Sequence, residues 1–260
     1  MTPPRPPPTP PPSRIVRPPS EAEGERLAKR LARERGCSRS EAERYIESGF
    51  VTVDGTPAAG PAQRVRDTQQ VALTADASLE AVEPVTMLLH RAPGVAADPA
   101  VLLAPRARHA GDRSGIRPVR AHLHRQACVA PLEPSAGGLV VYSQDPRIVR
   151  RLVEDATLLE HEWMIEVTGE ASPEALARVA APLALGGRTA PAARVSIGSR
   201  SEEVTRLRVA VKGHHPGRFE RACAAAGLGL RSMRRTRIGR VPLAPLGPGE
   251  WRYLAPGERF

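Results

Sequence analysis

Guanidinium groups dominate the residues of this chain that could do chemistry. Their densest early grouping is Arg26, Arg30, Arg33 and Arg35, with the ammonium of Lys29 among them, followed by Arg39 and Arg44. Forked, permanently charged donors at helical spacing suit phosphate oxygens, which they bind through parallel hydrogen bonds. A second concentration lies late in the chain, where residues 204–260 hold twelve Lys or Arg against three Glu while the remainder is nearly neutral. Such a segment attracts polyanions, and added salt weakens the attraction by reducing the entropy gained from counterion release. Other chemistries find less support. Cys37, Cys128 and Cys223 are isolated from one another, which predicts reduced thiols and no disulfide framework. His122 with His124, and His214 with His215, lack a Cys or carboxylate at ligand spacing, so no metal site is expected.

The early arginines need a scaffold, and the run from Arg26 to Gly55 supplies one. Leu27 and Leu31 stand one helical turn apart, which turns Lys29, Arg30, Arg33 and Arg35 toward water or phosphate. Gly36 ends that helix. Ser38 and Glu41 form a capping box that opens a second helix, with Ala42, Tyr45 and Ile46 inward and Arg39 and Arg44 outward. Gly49 closes it, Val51 and Val53 alternate as a strand, and Asp54-Gly55 signals a hairpin turn.

A length of 260 residues and an apolar content of 41% allow a sizeable core. Aromatic residues are only 3%, so that core rests on Leu, Val, Ile and Ala. Arginine supplies 36 of the 38 basic residues, a skew that GC-rich coding explains as well as selection for phosphate forks does. Residues 1–20 hold ten prolines and predict an extended, solvated tail over 1–24. A composition shift over 75–84 marks a linker, dividing a first domain with its linker (25–83) from a body (84–260). The absence of an apolar signal core or spanning segment points to a soluble cytoplasmic protein, with no lysine-rich amphipathic helix or lipid anchor for a membrane.

In the body, strands are expected at 85–89, 139–142, 163–167, 193–197, 205–211 and 235–241. Helices are expected after Asp145-Pro146 and Ser172-Pro173 and over 218–226. Residues 92–115 read as loop. Strands and helices mixed in this order predict an α+β domain around a largely antiparallel sheet.

Two resemblances sharpen the reading. Arg26-Leu27-Ala28-Lys29, Gly36-Cys37-Ser38-Arg39, Glu41-Ala42, Ile46, Gly49 and Val53-Asp54-Gly55 resemble the RNA-binding domain named after the fourth small-subunit ribosomal protein, the S-four domain. In the body, Leu132, Gly138-Leu139, Ser143-Gln144-Asp145, Arg235-Thr236-Arg237-Ile238-Gly239 and Gly249-Glu250-Trp251-Arg252 resemble pseudouridine synthases of the RsuA and RluF type, which place an S-four domain before a catalytic domain. That resemblance implies isomerisation of a uridine in structured RNA, ribosomal RNA in the first instance, by a monomer without a cofactor. In the family an aspartate attacks the nucleotide, the glycosidic bond breaks, and the base rejoins through carbon.

Residue by residue, the resemblance puts Glu133 in the place of the nucleophilic aspartate and Pro131 in that of the arginine before it. Trp163 falls on the tyrosine that stacks beneath the base, and Glu220 on the arginine that pairs with the nucleophile. The extra methylene of Glu133 moves its charge outward, and an apposed Glu220 would raise one of the two carboxyl pKa values. Arg218, Arg221, Arg234, Arg235 and Arg237 join Arg26, Lys29, Arg30, Arg33, Arg39 and Arg44 as expected RNA contacts. Plainer readings stand beside these: Glu133 as a solvated loop carboxylate and Trp163 as core beside Met164 and Ile165. At the level of the whole chain, the alternatives are an RNA-binding or ribosome-assembly factor that has lost the chemistry, and a peptide scaffold that uses the proline tail.

Overall fold

The structure, a computed structural model, describes residues 24–79, 82–96 and 98–260, so all but the last residue of the expected tail lies outside the described residues. The chain divides into two compact units with the boundary between Glu80 and Ala81.

In the first unit a short strand β1 (Glu25–Arg26) leads into α1 (Leu27–Arg35) and α2 (Arg39–Glu47). The strands β2 (Val51–Val53), β3 (Thr56–Pro57), β4 (Arg64–Val65) and β5 (Val71–Leu73) follow. Sequence dictates most of this. Leu27, Leu31, Ala42, Ile46, Val51, Val53 and Val65 close one core, Gly36 ends α1 at φ 63°, and both arms of the Ser38–Glu41 capping box are present. Asp54 and Gly55 both have positive φ (51° and 79°), as a two-residue hairpin with matching strand twist requires. The Asp54 carboxylate accepts from the Gln69 side chain and the Gln70 amide, each at 2.8 Å, which pins the turn to the loop before β5.

One expectation is corrected here. Arg30 is only 8% exposed: its guanidinium donates to the carbonyls of Arg66 (2.5 Å) and Gln69 (2.9 Å) and pairs with Glu34. It ties α1 to the loop over 66–69 and leaves the phosphate-facing set.

The second unit is built on a large mixed sheet. Its elements are β6 (Thr86–Arg91), α3 (Pro99–Leu102), β7 (Ala127–Cys128), β8 (Gly137–Ser143), α4 (Pro146–Val153), β9 (Glu160–Thr168), α5 (Pro173–Ala180), β10 (Leu183–Leu185), β11 (Arg188–Ala190), β12 (Arg194–Arg200), β13 (Thr205–Lys212), α6 (Arg218–Ala225), β14 (Gly229–Ile238), β15 (Val241–Pro242) and β16 (Trp251–Tyr253). The strands run in the order β12-β13-β9-β14-β8-β6-β16, with β7 on β8 and β15 on β14. Every pairing in that order is antiparallel except β14 with β8, so the α+β expectation of a largely antiparallel sheet holds. Helices α5 and α6 cover one face through a core that includes Trp163, Ile165, Val167, Val179, Phe219 and Cys223. On the other face Leu88, Leu139, Val141, Leu152 and Ile238 form a second core.

Three differences from the sequence reading stand out. The strand expected at 235–241 begins at Gly229, α3 falls inside the stretch expected as loop, and β16 closes the far edge with Trp251 and Tyr253 fully buried. Short polar and glycine-rich segments carry little periodicity, so sheet neighbours rather than local preference set these strands.

The parallel β14–β8 contact depends on one residue. Gly138 sits at φ +106°, and a Cβ there would lie 2.3 Å from the Arg235 carbonyl oxygen. A Gly138→Ala variant is expected to lose about 3 kcal/mol or more of unfolding free energy, from backbone strain and a clash that only strand separation relieves. Urea titration tests this, and a loss under about 1 kcal/mol would show that the strands adjust freely.

Candidate functional site

The chemistry expected at Glu133 depends on the loop between β7 and β8, which two buried arginines clamp through its carbonyls. Arg91, at the end of β6, donates to the carbonyls of Glu133 (2.6 Å) and Ala136 (2.8 Å). Arg235, on β14, donates to Leu139 (2.6 Å), Pro131 (3.2 Å) and Ala130. Arg235 is completely buried, and desolvation pushes its pKa down to about 9. The forked, planar guanidinium suits this task because one group reaches several carbonyls at once.

Held in this way, the half-buried Glu133 side chain turns toward the start of α6, where the Gly217 amide donates to it at 2.5 Å. Burial raises the Glu133 pKa above the ordinary carboxylate range. The Gly217 hydrogen bond opposes that shift, the nearby Glu220 charge adds to it, and the Arg235 charge offsets part of it. Among the described residues no guanidinium forms an ion pair with Glu133. Glu220 instead accepts a hydrogen bond from Ser135, two residues along the same loop, at 2.7 Å. The arginine-to-glutamate exchange read from the sequence therefore places a second carboxylate beside the first.

Trp163 lies behind this loop and is 3% exposed. Phe219 meets its ring edge-on at 5.3 Å, His214 lies nearly parallel to it at 6.4 Å, and the Arg235 guanidinium carbon sits 5.6 Å from its centroid. The expected base platform is thus a buried core ring, and no described surface exposes its face. Its position on β9 explains why, since residues 161, 163, 165 and 167 alternate onto the helix-covered side.

The expected RNA contacts separate into three groups. Arg26, Lys29, Arg33, Arg39, Arg44, Arg221 and Arg234 are exposed. Lys29 and Arg33 share Glu25, Arg39 pairs with Glu43, and Arg44 donates to the Leu79 carbonyl. Arg237 is half-buried and paired with Glu160 and Glu162. Arg218 and Arg235 are corrected: both are 0% exposed, and Arg218 donates to the carbonyls of Pro191 (2.7 Å) and Ala181 (3.1 Å). Their sequence context, arginine among arginines, looked like surface; only the fold shows them turned inward to satisfy loop carbonyls.

Sequence reasoning missed Arg91, Ser135 and Gly217, none of which carries a local signature. It noticed His214, but only as half of an unsuitable metal pair. Among the described residues no group of three His, Cys, Asp or Glu could hold a metal, and no helix is long and apolar enough to cross a membrane.

The buried imidazoles make stability depend on pH. Burial, with repulsion from Arg235, His214 and His215, pushes the His161 pKa down to about 3, and burial pushes that of His122 down to about 4. Both are neutral in the fold and titrate near 6.5 when unfolded, so the unfolded chain binds more protons between those values. The stability contributed by these two histidines is complete above pH 6.5 and falls as pH drops toward their folded values, by up to about 1.4 kcal/mol per pH unit for each. Thermal unfolding should occur at lower temperature at pH 5 than at pH 7.5, and His161→Phe should flatten the dependence. An unchanged dependence in that variant would exclude His161 as a source.

Comparison with known proteins agrees with this architecture. A model of the S4 domain matches residues 25–71, the helix pair and hairpin of the first unit. The chain is similar to the dual-specificity RNA pseudouridine synthase RluF of Escherichia coli K12, at 24% identity over 234 residues, spanning 90% of this chain and 76% of that one. Similarity to the Salmonella typhi RluF is 25% over the same shares. A crystal structure of a pseudouridylate synthase superposes with a TM-score of 0.53 at 18% identity, covering 88% of this chain and 96% of that one, and so shares the fold. An S4 domain followed by a mixed-sheet body of the pseudouridine synthase fold defines the class of protein. Within that class, the chain is similar over 90% of its length to RluF pseudouridine synthases.

Proposed function

We propose that this protein is an RNA-binding pseudouridine synthase that isomerises a uridine in structured RNA, with ribosomal RNA as its target, acting as a cytoplasmic monomer without a cofactor. Glu133 is the nucleophile: its carboxylate bonds to the nucleotide, the N1–C1′ glycosidic bond breaks, the base rejoins through C5, and the carboxylate is released as C5 loses its proton and N1 gains one. The observation that carries the proposal is the Glu133 carboxylate itself, half-buried on a clamped loop, held by the Gly217 amide and within the field of Arg235. A nucleophilic carboxylate needs this kind of fixed, partly dry setting. Similarity to RluF along most of both chains supports the reading. The exposed cations of the S4 domain and of the strands after residue 204 supply the grip on phosphate.

A second reading is a family member that binds RNA without modifying it. The contact that favours it is Ser135–Glu220, which puts a like charge where a positive partner would hold Glu133 ionised; the burial of Trp163 points the same way. Quantitative pseudouridine mapping in RNA from a deletion strain separates the two. Loss of modification at one or more sites, unrepaired by Glu133→Ala, identifies the catalyst and its nucleophile. Unchanged modification in the deletion strain establishes the second reading, and full repair by Glu133→Ala removes Glu133 from the mechanism.

A further inference from the structure

The face of the sheet opposite Trp163 is open at its β12-β13-β9-β14 end. Strand alternation places Glu162, Met164 and Glu166 of β9 on this side, with Arg206 and Arg208 of β13, Ser232 and Arg234 of β14, and Arg194 and Ser196 of β12. Two shallow depressions of about 500 and 510 Å³ meet at Met164, one bordered by Arg194 and Arg208 and the other by Arg206 and Arg234.

The ion pairs on this face leave a specific excess. Arg206 is held by Glu166, Arg194 by Glu160, and Arg237 by Glu160 and Glu162, so every carboxylate is engaged. Arg208 and Arg234 are exposed and form no hydrogen bond or ion pair among the described residues, although their charges act at longer range on Glu162 and Glu166 respectively. Register sets them in one cross-strand row, Ser196–Arg208–Met164–Arg234–Gly137, with their backbones two strands apart, about 10 Å. The Arg208 side chain lies against β12 beside Gly198, where an added Cβ would meet its Cγ and Nε at an ordinary contact distance of 3.4 Å.

We infer that Arg208 and Arg234 bind successive parts of an RNA phosphate backbone, forming a contact face on the side of the sheet away from Glu133. Charge complementarity selects the occupant: two unpaired guanidinium forks flank a hydroxyl- and methionine-lined floor, and the face has no large apolar area to hold a protein partner. This site rests on the RNA-binding reading above and extends it, because the RNA would contact both sides of the sheet.

The test is a salt series of binding between the full chain and a labelled oligouridylate. Each phosphate contact on a single strand contributes about 0.7 to the slope of log affinity against log salt. The double variant R208Q/R234Q is expected to reduce that slope by about 1.4, while R208K/R234K retains it. R147Q/R150Q, which removes the same charge from the exposed face of α4, should leave the slope unchanged. Arg208 and Arg234 make no hydrogen bond or ion pair within the fold, so circular dichroism of R208Q/R234Q should match the wild type. An unchanged slope in R208Q/R234Q, or an equal loss in R147Q/R150Q, overturns the inference while leaving RNA binding intact. Failure of the wild type to bind the oligouridylate at low salt, and failure also with a ribosomal RNA hairpin, overturns the RNA-binding reading and this one with it.

Discussion

Glu133→Gln is expected to reduce pseudouridine formation by about 10³-fold or more, since removing the attacking group eliminates the covalent route and not merely its efficiency. The amide keeps the size of the side chain and can still accept from Gly217, so RNA affinity and stability should change little. A companion variant tests the electrostatics. The Glu220 charge raises the Glu133 pKa, so Glu220→Gln should favour the ionised nucleophile and move the acid limb of the pH–rate profile to lower pH. Single-turnover assays on a modified RNA site across pH read both results. Full activity in Glu133→Gln would transfer the chemistry elsewhere, and an unmoved acid limb in Glu220→Gln would mean that the two carboxylates do not sense one another.

Arg235→Met is expected to lower unfolding free energy by about 3 kcal/mol. The substitution strands the carbonyls of Ala130, Pro131 and Leu139 inside the protein, at about 1–3 kcal/mol for each acceptor left unsatisfied. Relief from burying a charge returns part of that cost, as the pKa of about 9 for Arg235 indicates. Arg235→Lys should recover little, because a single ammonium at the end of a flexible stem cannot reproduce the fork. Denaturant titration with an unchanged slope measures the loss, and a value under about 1 kcal/mol would show that water or a shift of the loop satisfies the carbonyls. The same variant should also raise the Glu133 pKa further, since the Arg235 charge is one of the influences that lower it.

The sequence alone determined the elements whose information is local. The Ser38–Glu41 box, Gly36, and the turn at Asp54-Gly55 act through residues within one helical turn or one hairpin, so the S4 domain was legible down to its caps. Pro146 and Pro173 likewise mark the starts of α4 and α5, with Asp145 and Ser172 accepting from the first turns. The motif matches also located the loop bearing Glu133. What tertiary structure decided is the direction in which each arginine points and what it meets. Arg234 and Arg235 are chemically identical neighbours, yet strand alternation sends one to an open face and the other into the core. Arg30 and Arg218 are drawn inward by carbonyls tens of residues away, and Trp163 is closed over by Phe219 from a helix more than fifty residues later. A guanidinium or an indole carries the same preference for burial or contact wherever it stands in a chain. Its fate is set by which backbone groups lack partners nearby, and that is fixed only when the sheet has formed.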